Sequence, residues 1–181
     1  MDINFDCIPC VLNNYVRSIQ SGMIPKDLQE ITLRKLLDFL SKVDYKQPPP
    51  ALGKDIHRLI RQSLKNSDPY KEIKLKCNKM IINRYEEFQS IIKNSPDSFN
   101  TALKLAIAGN VIDFGSQHRL DLMEAVNRIL NTKLAQDDSL QLKRDIESAD
   151  SILYLGDNAG EIVFDKLLLE TIKHPNVYFA V

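Results

Sequence analysis

The residues best suited to chemistry lie in a polar turn between a short apolar segment and a helical pattern. The turn runs from Gly156 to Gly160, contains Asp157 and Asn158, and is followed by Glu161. Adjacent carboxylate and amide oxygens are typical ligands of hard divalent cations such as Mg²⁺ or Mn²⁺. We therefore interpret Asp157 and Asn158 as candidate metal ligands, and Asp157 also as a candidate catalytic carboxylate.

The helix that follows this turn would add a binding site for an anion. Its exposed N–H groups favour a phosphate, and Gly160 would let the backbone approach a substrate closely. Glu161 is a candidate catalytic residue because it would reach a metal-bound water or a substrate hydroxyl, and Asp165 lies one helical turn further along the same face. The alternative is that Asp157 and Asn158 only cap the helix, which the residue types alone leave equally open.

The elements around the turn indicate a βαβ unit. Residues 152–155 form an apolar run without alternation, which is typical of a strand buried on both faces. Apolar residues from Ile162 to Ile172 have helical spacing, Pro175 ends that helix, and residues 177–181 form a second apolar strand. Ligands of parallel sheets bind beyond the carboxyl ends of the strands, which is where the turn lies.

Known phosphate and cofactor motifs differ from this turn. It lacks the Gly-Lys-Ser/Thr ending of a P-loop and the third glycine of the dinucleotide-binding fingerprint. It is loosely similar to the first motif of methyltransferases that use S-adenosylmethionine, because that motif also follows a strand with an acidic turn that contains glycine. Methyl transfer therefore stays open as an alternative chemistry.

The rest of the chain has helical periodicity. We predict a helical domain over residues 1–148, followed over residues 149–181 by the first βαβ unit of an α/β domain. Residues 47–50, which include three prolines, are predicted to be a rigid, non-helical connector before the third predicted helix. One long fourth helix is predicted from Tyr70 to Ile92.

The predicted helical domain contains two sets of polar residues whose role needs an explanation. Residues 109–115 are bracketed by glycines, and the polar Asn110 and Asp113 lie there in an apolar neighbourhood. Buried polar groups need partners, so we expect this segment to line a cleft and these two residues to bind substrate. The alternative is a turn with Asx hydrogen bonds. Lys74 and Asn78, one turn apart on the fourth predicted helix, we interpret as a solvated face.

Three cysteines form a further candidate site. Cys7 and Cys10 make a CxxC pair at the start of a helix, and Cys77 is the third thiol. A second metal site or a disulfide is one interpretation, although structural zinc needs four ligands and no strand precedes the pair as in redox motifs. The alternative, which we favour, is a structural or incidental pair.

Composition excludes several classes of protein. With 24 basic and 24 acidic side chains, the chain lacks the basic excess expected of a nucleic-acid binder. No apolar run approaches the length of roughly 18 residues that indicates a membrane span, and the acidic N-terminus has no signal-peptide pattern. An odd number of cysteines does not fit a secreted disulfide framework. We therefore expect a cytoplasmic protein.

Four stretches of the chain, taken in order, resemble a single family. It is the metal-dependent damage-control phosphatase family, first catalogued as domain of unknown function eighty-nine, and the resemblance is closest to its archaeal and bacterial-type branch. The stretches are Cys7-x-x-Cys10 with the helix after it, Asp68-Pro69-Tyr70 with Lys74, residues 109–115, and Gly156-Asp157-Asn158-Ala159-Gly160-Glu161 with Asp165.

The resemblance implies a helical domain packed on a Rossmann-like, three-layer α/β domain, and therefore an α+β fold. It implies a divalent cation between them, Mn²⁺, Co²⁺, Ni²⁺ or Mg²⁺, with Asp157 and Asn158 as its first two ligands. The third ligand implied is an aspartate after the next strand, which we expect beyond Val181. Because two parallel strands alone bury too little to be stable, we interpret the chain as the N-terminal part of a longer protein, or as a fragment completed by a partner. Whether these 181 residues are active alone stays open, since part of the implied metal site is not among them.

The functional hypothesis is therefore a phosphatase that depends on a divalent metal. It would hydrolyse small phosphomonoesters, such as sugar phosphates or damaged phosphometabolites, so its partner would be a small phosphorylated metabolite. One alternative is a carboxyl methyltransferase that uses S-adenosylmethionine, an activity proposed for a eukaryotic member of the family that the chain resembles. The other is a non-catalytic domain that binds a metabolite or a protein. Each of these three functions is compatible with an oligomeric protein.

Overall fold

A computed structural model describes residues 2–111 and 122–181 of the chain. None of the helices in these ranges is long and apolar enough to cross a membrane. In chain order, the elements in these ranges are α1 Cys7–Gln20, α2 Lys26–Ser41, α3 Pro49–Leu64, α4 Lys71–Ile82, α5 Tyr85–Lys93, α6 Ser98–Val111, α7 Leu122–Asn131, α8 Ser139–Ser148, β1 Ile152–Leu155, α9 Glu161–Ile172 and β2 Val177–Ala180.

The chain divides into two compact units, Met1–Lys71 and Glu72–Val181. The second unit therefore holds α5 to α9, nearly all of α4, and both strands. The boundary predicted at residue 148 separates helices from strands, and it lies inside this second unit because α9 packs against α6. Every residue of the polar turn belongs to the second unit.

The first unit is built from amphipathic helices around one apolar core. Tyr15 of α1, Leu36 of α2 and Ile56 of α3 are buried in it, each on the apolar stripe that sequence periodicity predicts. The prediction that residues 47–50 are not helical is wrong in its second half, because α3 already begins at Pro49. Proline is tolerated in the first turn of a helix, where its missing N–H would have no intrahelical partner.

The core of the second unit is centred on α9, which is apolar on most of its surface. Phe164 is fully buried and meets Phe88 of α5 edge-on, with 4.9 Å between the ring centroids. Leu105 of α6 and Val126 of α7 are buried in the same cluster. The helix that follows the polar turn is therefore packed against three other helices, α5, α6 and α7.

Two helix boundaries in this unit differ from the sequence prediction. The long fourth helix is two helices, α4 and α5, which are separated by Asn83 and Arg84. Apolar periodicity continues across this break, so the sequence pattern alone does not reveal it. The glycine-bracketed segment is partly helical, because α6 extends through Asn110 to Val111. The remainder of that segment, with Asp113, lies outside the described residues.

The two strands form a parallel sheet in which α9 is the crossover. Ile152 is in register with Val177 at one end of the pair. Together with the helices, this sheet confirms an α+β fold; the Rossmann-like, three-layer arrangement stays a prediction. The expectation that the first strand is buried on both faces is wrong: Leu153 and Leu155 are 65% and 72% exposed. Their side chains point away from α9, since successive strand residues face opposite sides of a sheet.

A glycine allows α6 and α9 to pack closely. A Cβ atom added at Gly109 would lie 3.0 Å from the Cα atom of Glu161 and 3.0 Å from Cδ2 of Phe164. Distances this short are repulsive between carbon atoms, and one of the two contacts is with backbone. Glycine at this position therefore sets how near α6 lies to the first turn of α9.

We predict that Gly109→Ala destabilises the protein. The added methyl group overpacks the α6–α9 contact, so the free energy of unfolding should fall by about 1–3 kcal/mol. Urea-induced unfolding followed by circular dichroism measures this change.

Gly53→Ala is the matched control, because it adds the same atom inside α3, where nothing lies within 4 Å of the new Cβ. Alanine stabilises a helix interior relative to glycine, so this variant should be unchanged or more stable by up to about 1 kcal/mol. Equal stability of the two variants would contradict close packing at Gly109.

Candidate functional site

The polar turn joins the carboxyl end of β1 to the first residue of α9. Gly160 precedes the helix with φ 88° and ψ −53°, a left-handed conformation that favours glycine. This bend lets the chain reverse within five residues. Asp157 and Asn158 are exposed, at the edge of the sheet where parallel α/β folds bind ligands. Both predicted metal ligands therefore face solvent and are next to each other.

Hydrogen bonds fix the amide group of Asn158. Its Nδ2 donates to Oδ2 of Asp157 at 3.1 Å and to Oε2 of Glu161 at 3.0 Å, while its backbone N–H donates to the same Oε2 at 3.3 Å. The reverse amide orientation would place an oxygen against two carboxylate oxygens. Electrostatics therefore turns Oδ1 of Asn158 away from the two carboxylates, where it can act as an oxygen ligand.

Glu161 lies under the turn, and only 9% of its surface is exposed. Its second oxygen, Oε1, accepts a hydrogen bond of 3.0 Å from Nδ2 of Asn110, which is in the last turn of α6. The structure thus brings Asn110 to the polar turn, as the sequence predicts. Both oxygens of the Glu161 carboxylate accept hydrogen bonds from amide groups, which is the usual condition for a buried carboxylate.

Asn78 also reaches the turn, and the sequence analysis missed it. Its Oδ1 accepts a hydrogen bond of 2.6 Å from the N–H group of Gly160. We had interpreted Asn78 as part of a solvated face, whereas it is half-buried beside Cys77, which is buried in α4. The predicted apolar position of the neighbouring Cys77 is the sequence feature that could have indicated partial burial of Asn78. The N–H of Gly160, predicted to meet the substrate, is engaged by this amide; its role in substrate binding stays a prediction.

A second buried carboxylate lies one helical turn beyond Glu161. Asp165 is 2% exposed, and its Oδ1 accepts a hydrogen bond of 2.7 Å from the hydroxyl of Tyr154. Within the described residues, its Oδ2 has no hydrogen-bond partner. Burial raises the pKa of Asp165 to about 6; the hydrogen bond from Tyr154 lowers the pKa, and the nearby charge of Glu161 raises it. Burial also raises the pKa of Tyr154, and the bond to Asp165 adds to that rise.

The three cysteines lie on two helices, α1 and α4, which belong to different units. Cys7 and Cys10 are in the first turn of α1, where Cys10 is exposed, and Cys77 is buried in α4. None of the three is in a disulfide bond. No group of three or more His, Cys, Asp or Glu side chains in residues 2–111 and 122–181 has the arrangement of a metal site. A second metal site at these cysteines stays a prediction.

The turn itself fits part of the coordination shell of a divalent cation. Asp157 and Asn158 present hard oxygen donors at adjacent, exposed positions, and their opposite ends are held by the hydrogen bonds described above. Within residues 2–111 and 122–181, no group of three or more His, Cys, Asp or Glu side chains completes this shell, and the third ligand expected after a later strand stays a prediction. The arrangement can bind a cation and, at the N-terminus of α9, an anion beside it.

Comparison with known proteins relates the chain to one family. A sequence model described as the damage-control phosphatase ARMT1-like domain matches residues 3–181. A curated damage-control phosphatase of Pyrococcus horikoshii is 34% identical over 186 residues, which cover 99% of this chain and 63% of the relative. A damage-control phosphatase of Archaeoglobus fulgidus is 30% identical over 178 residues, with 96% and 61% covered.

A solved structure is similar along the whole described fold. The crystal structure of a DUF89 family protein from Pyrococcus horikoshii has a TM-score of 0.81 and 33% sequence identity, and the likeness covers 99% of this chain and 64% of that chain. This chain therefore spans about three fifths of the length of the curated relatives it matches.

We predict that Asp165→Asn changes how stability depends on pH. A carboxyl group whose pKa is raised on folding, here from 3.8 to about 6, stabilises the fold fully below about pH 4 and loses this contribution as pH rises through 6. The variant should therefore match the wild type near pH 4 and exceed it near pH 8, by up to about 3 kcal/mol. Urea unfolding with a chelator present, at a series of pH values, measures the difference.

Two further variants test the assignment to Asp165. Asp150→Asn removes the same charge from an exposed carboxyl and should follow the wild-type profile. Tyr154→Phe should move the transition to higher pH, because the lost hydrogen bond stabilises the charged carboxylate. A constant difference between Asp165→Asn and the wild type across this range would contradict the raised pKa.

We predict that Asn78→Ala loosens the start of α9. The N–H of Gly160 would lose its buried acceptor, so the free energy of unfolding should fall by about 1–2 kcal/mol. Asn78→Asp keeps an acceptor at the same place, and a negative charge is favourable near a helix N-terminus, so it should retain most of the stability. Thermal unfolding compares the variants; equal losses would show that the hydrogen bond is not the cause.

Proposed function

Because this chain belongs to the damage-control phosphatase ARMT1-like family, we propose that it is a phosphatase that depends on a divalent metal and acts on small phosphomonoesters. Membership confirms the resemblance seen in the sequence. The relatives named damage-control phosphatases support a hydrolase, and the metal and the substrate class are our proposal. The reaction is the addition of water to a phosphate ester, which releases an alcohol and inorganic phosphate.

The observation that carries the proposal is the geometry of the polar turn. Asp157 and the amide oxygen of Asn158 are next to each other at the carboxyl end of β1, and both face solvent. The amide nitrogen of Asn158 is held by carboxylates, so its oxygen is available. The bond from the backbone N–H of Asn158 to Glu161 is also found in helix capping boxes, whereas the bonds from Nδ2 of Asn158 to Asp157 and Glu161 are not part of a cap.

A divalent cation would be held by the Asp157 carboxylate and the Asn158 oxygen. The family resemblance suggests Mn²⁺, Co²⁺, Ni²⁺ or Mg²⁺, and hard oxygen donors fit each of them, Mg²⁺ and Mn²⁺ best. When bound, such a cation polarises a phosphoryl oxygen and positions the nucleophile. A further ligand, such as the aspartate expected after a later strand, would complete the coordination.

The chain's own residues would bind and orient the phosphate. The N-terminus of α9 carries a partial positive charge that favours a phosphate group beside the exposed turn. Gly160 has no side chain that would fill the space beside the turn, which favours close approach of a substrate to the backbone. Asn110 lies next to this region through its bond with Glu161, so it is near enough to line the substrate pocket.

We predict that the full-length protein releases inorganic phosphate from p-nitrophenyl phosphate or from at least one sugar phosphate when Mn²⁺ or Co²⁺ is present. A chelator should abolish the activity and added metal should restore it. Asp157→Ala and Asn158→Ala should each lose at least about 100-fold in kcat/KM, since even residues that only orient metal ligands cost 10–100-fold.

Glu170→Gln is the matched control, because it removes one charge from an exposed position on the same helix. It should keep the wild-type rate. Absence of activity on the whole substrate panel with each of the four metals would refute the proposal, as would full activity of Asp157→Ala. Metal-independent binding of S-adenosylmethionine, measured by calorimetry, would instead favour methyl transfer.

A further inference from the structure

The side-chain amide of Asn158 must adopt one of two orientations for the proposed metal site to exist. The oxygen and nitrogen ends of an amide have nearly the same size, so shape does not choose between them. Only the oxygen end can bind a cation, because the NH₂ group is a donor with no acceptor capacity. The groups around Asn158 must therefore decide whether it can be a ligand.

We infer that Glu161 is a positioning residue which, held by Asn110, keeps the oxygen of Asn158 turned toward the metal. This inference rests on the proposed function for the identity of the ligand that the oxygen would meet. It differs from the catalytic role that the sequence suggested for Glu161, since in this role the carboxylate acts on Asn158 and not on the substrate.

The hydrogen bonds of Glu161 to Asn158 show how this works. Oε2 accepts from Nδ2 at 3.0 Å and from the backbone N–H at 3.3 Å of the same residue. Asp157 accepts from the same Nδ2 through its Oδ2 at 3.1 Å. A rotated amide would lose both side-chain bonds and face two negative oxygens, so one orientation is strongly preferred. The same bond to Asp157 also fixes which end of that carboxylate is engaged.

The Glu161 carboxylate is itself fixed from the other side. Asn110 donates to Oε1 at 3.0 Å, and the glycine that precedes it, Gly109, allows α6 to pack within contact distance of the Glu161 backbone. Glu161 is also 91% buried. A carboxylate with both oxygens bonded and little exposed surface is better suited to holding a neighbour than to exchanging protons with a substrate.

Binding of Mn²⁺, measured without substrate by electron paramagnetic resonance of the free ion, tests the inference. Glu161→Ala should weaken the affinity by about 10–100-fold, the range usual for residues that orient metal ligands. Asn110→Asp places a carboxylate against Oε1 of Glu161. This variant should also weaken the affinity for Mn²⁺, by at least about 3-fold. Glu170→Gln, on the same helix, should bind Mn²⁺ as the wild type does.

A paired substitution separates a positioning role from direct coordination. In Asn110→Asp combined with Glu161→Gln, donor and acceptor are exchanged between the two positions, and the total charge is that of the wild type. The introduced amide can still accept from Asn158 through its oxygen and donate to the introduced carboxylate. Affinity should therefore return to within about 3-fold of the wild type, on the same scale. If Glu161 were itself a metal ligand, the pair would lose as much affinity as Glu161→Ala.

A readout in the metal-free protein makes the outcome independent of the proposed function. The NH₂ protons of Asn158 should give resolved, slowly exchanging side-chain signals in a ¹⁵N NMR spectrum, assigned by their loss in Asn158→Asp. Glu161→Ala should make these signals exchange quickly with solvent, whereas the paired substitution should keep them protected. Circular dichroism confirms that each variant is folded, and the paired substitution carries the test if Glu161→Ala does not fold.

The results distinguish the two hypotheses. A wild-type protein that binds no Mn²⁺ refutes the metal-dependent function, while the amide signals still decide whether Glu161 orients Asn158. Wild-type affinity and unchanged amide signals in Glu161→Ala would overturn the inference. Loss of affinity in the paired substitution, equal to that of Glu161→Ala, would overturn it in favour of direct coordination.

Discussion

The buried carboxylate of Glu161 is the group on which the arrangement of the site depends. A charged group removed from water is costly unless its oxygens are hydrogen-bonded. Glu161 meets this requirement with the amide and backbone N–H of Asn158 on one side and with Asn110 on the other. Satisfying this one charge therefore joins the polar turn to α6 and leaves little freedom in the position of either. The apolar core of the second unit also stabilises this contact between the polar turn and α6.

The site concentrates negative charge in a small region. Glu161 and Asp165 are buried one turn apart on α9, and Asp157 is exposed above them. The donors described for the two buried carboxylates are amide, backbone and hydroxyl groups, which carry no charge of their own. Because these donors are neutral, they stabilise the two buried carboxylates without cancelling the negative electrostatic potential around them. A negative electrostatic potential at an exposed pair of oxygen ligands favours the approach of a cation. Burial raises the pKa of Asp165, and the charge of Glu161 makes a smaller contribution in the same direction.

Sequence reasoning works well where one local pattern determines the structure. The apolar strand, the turn of glycine and polar residues, and the amphipathic helix after it are contiguous, so the βαβ unit and the position of Asp157 follow from a few residues. Asn110 could also be expected at a cleft because it is polar between apolar neighbours. Asn78 could not be identified in this way, because its bond to Gly160 joins residues 82 positions apart. Exposure of Leu153 likewise depends on what covers the sheet, which periodicity does not encode.

Close packing at Gly109 makes the geometry of the polar turn depend on the size of one residue in α6. A larger residue at this position displaces the backbone at Glu161, and with it the hydrogen bonds that hold Asn158. A change that looks remote in the sequence would therefore reach the site in a single step. The permitted size of residue 109 and the position of the Glu161 carboxylate are therefore coupled, although the two residues lie on different helices.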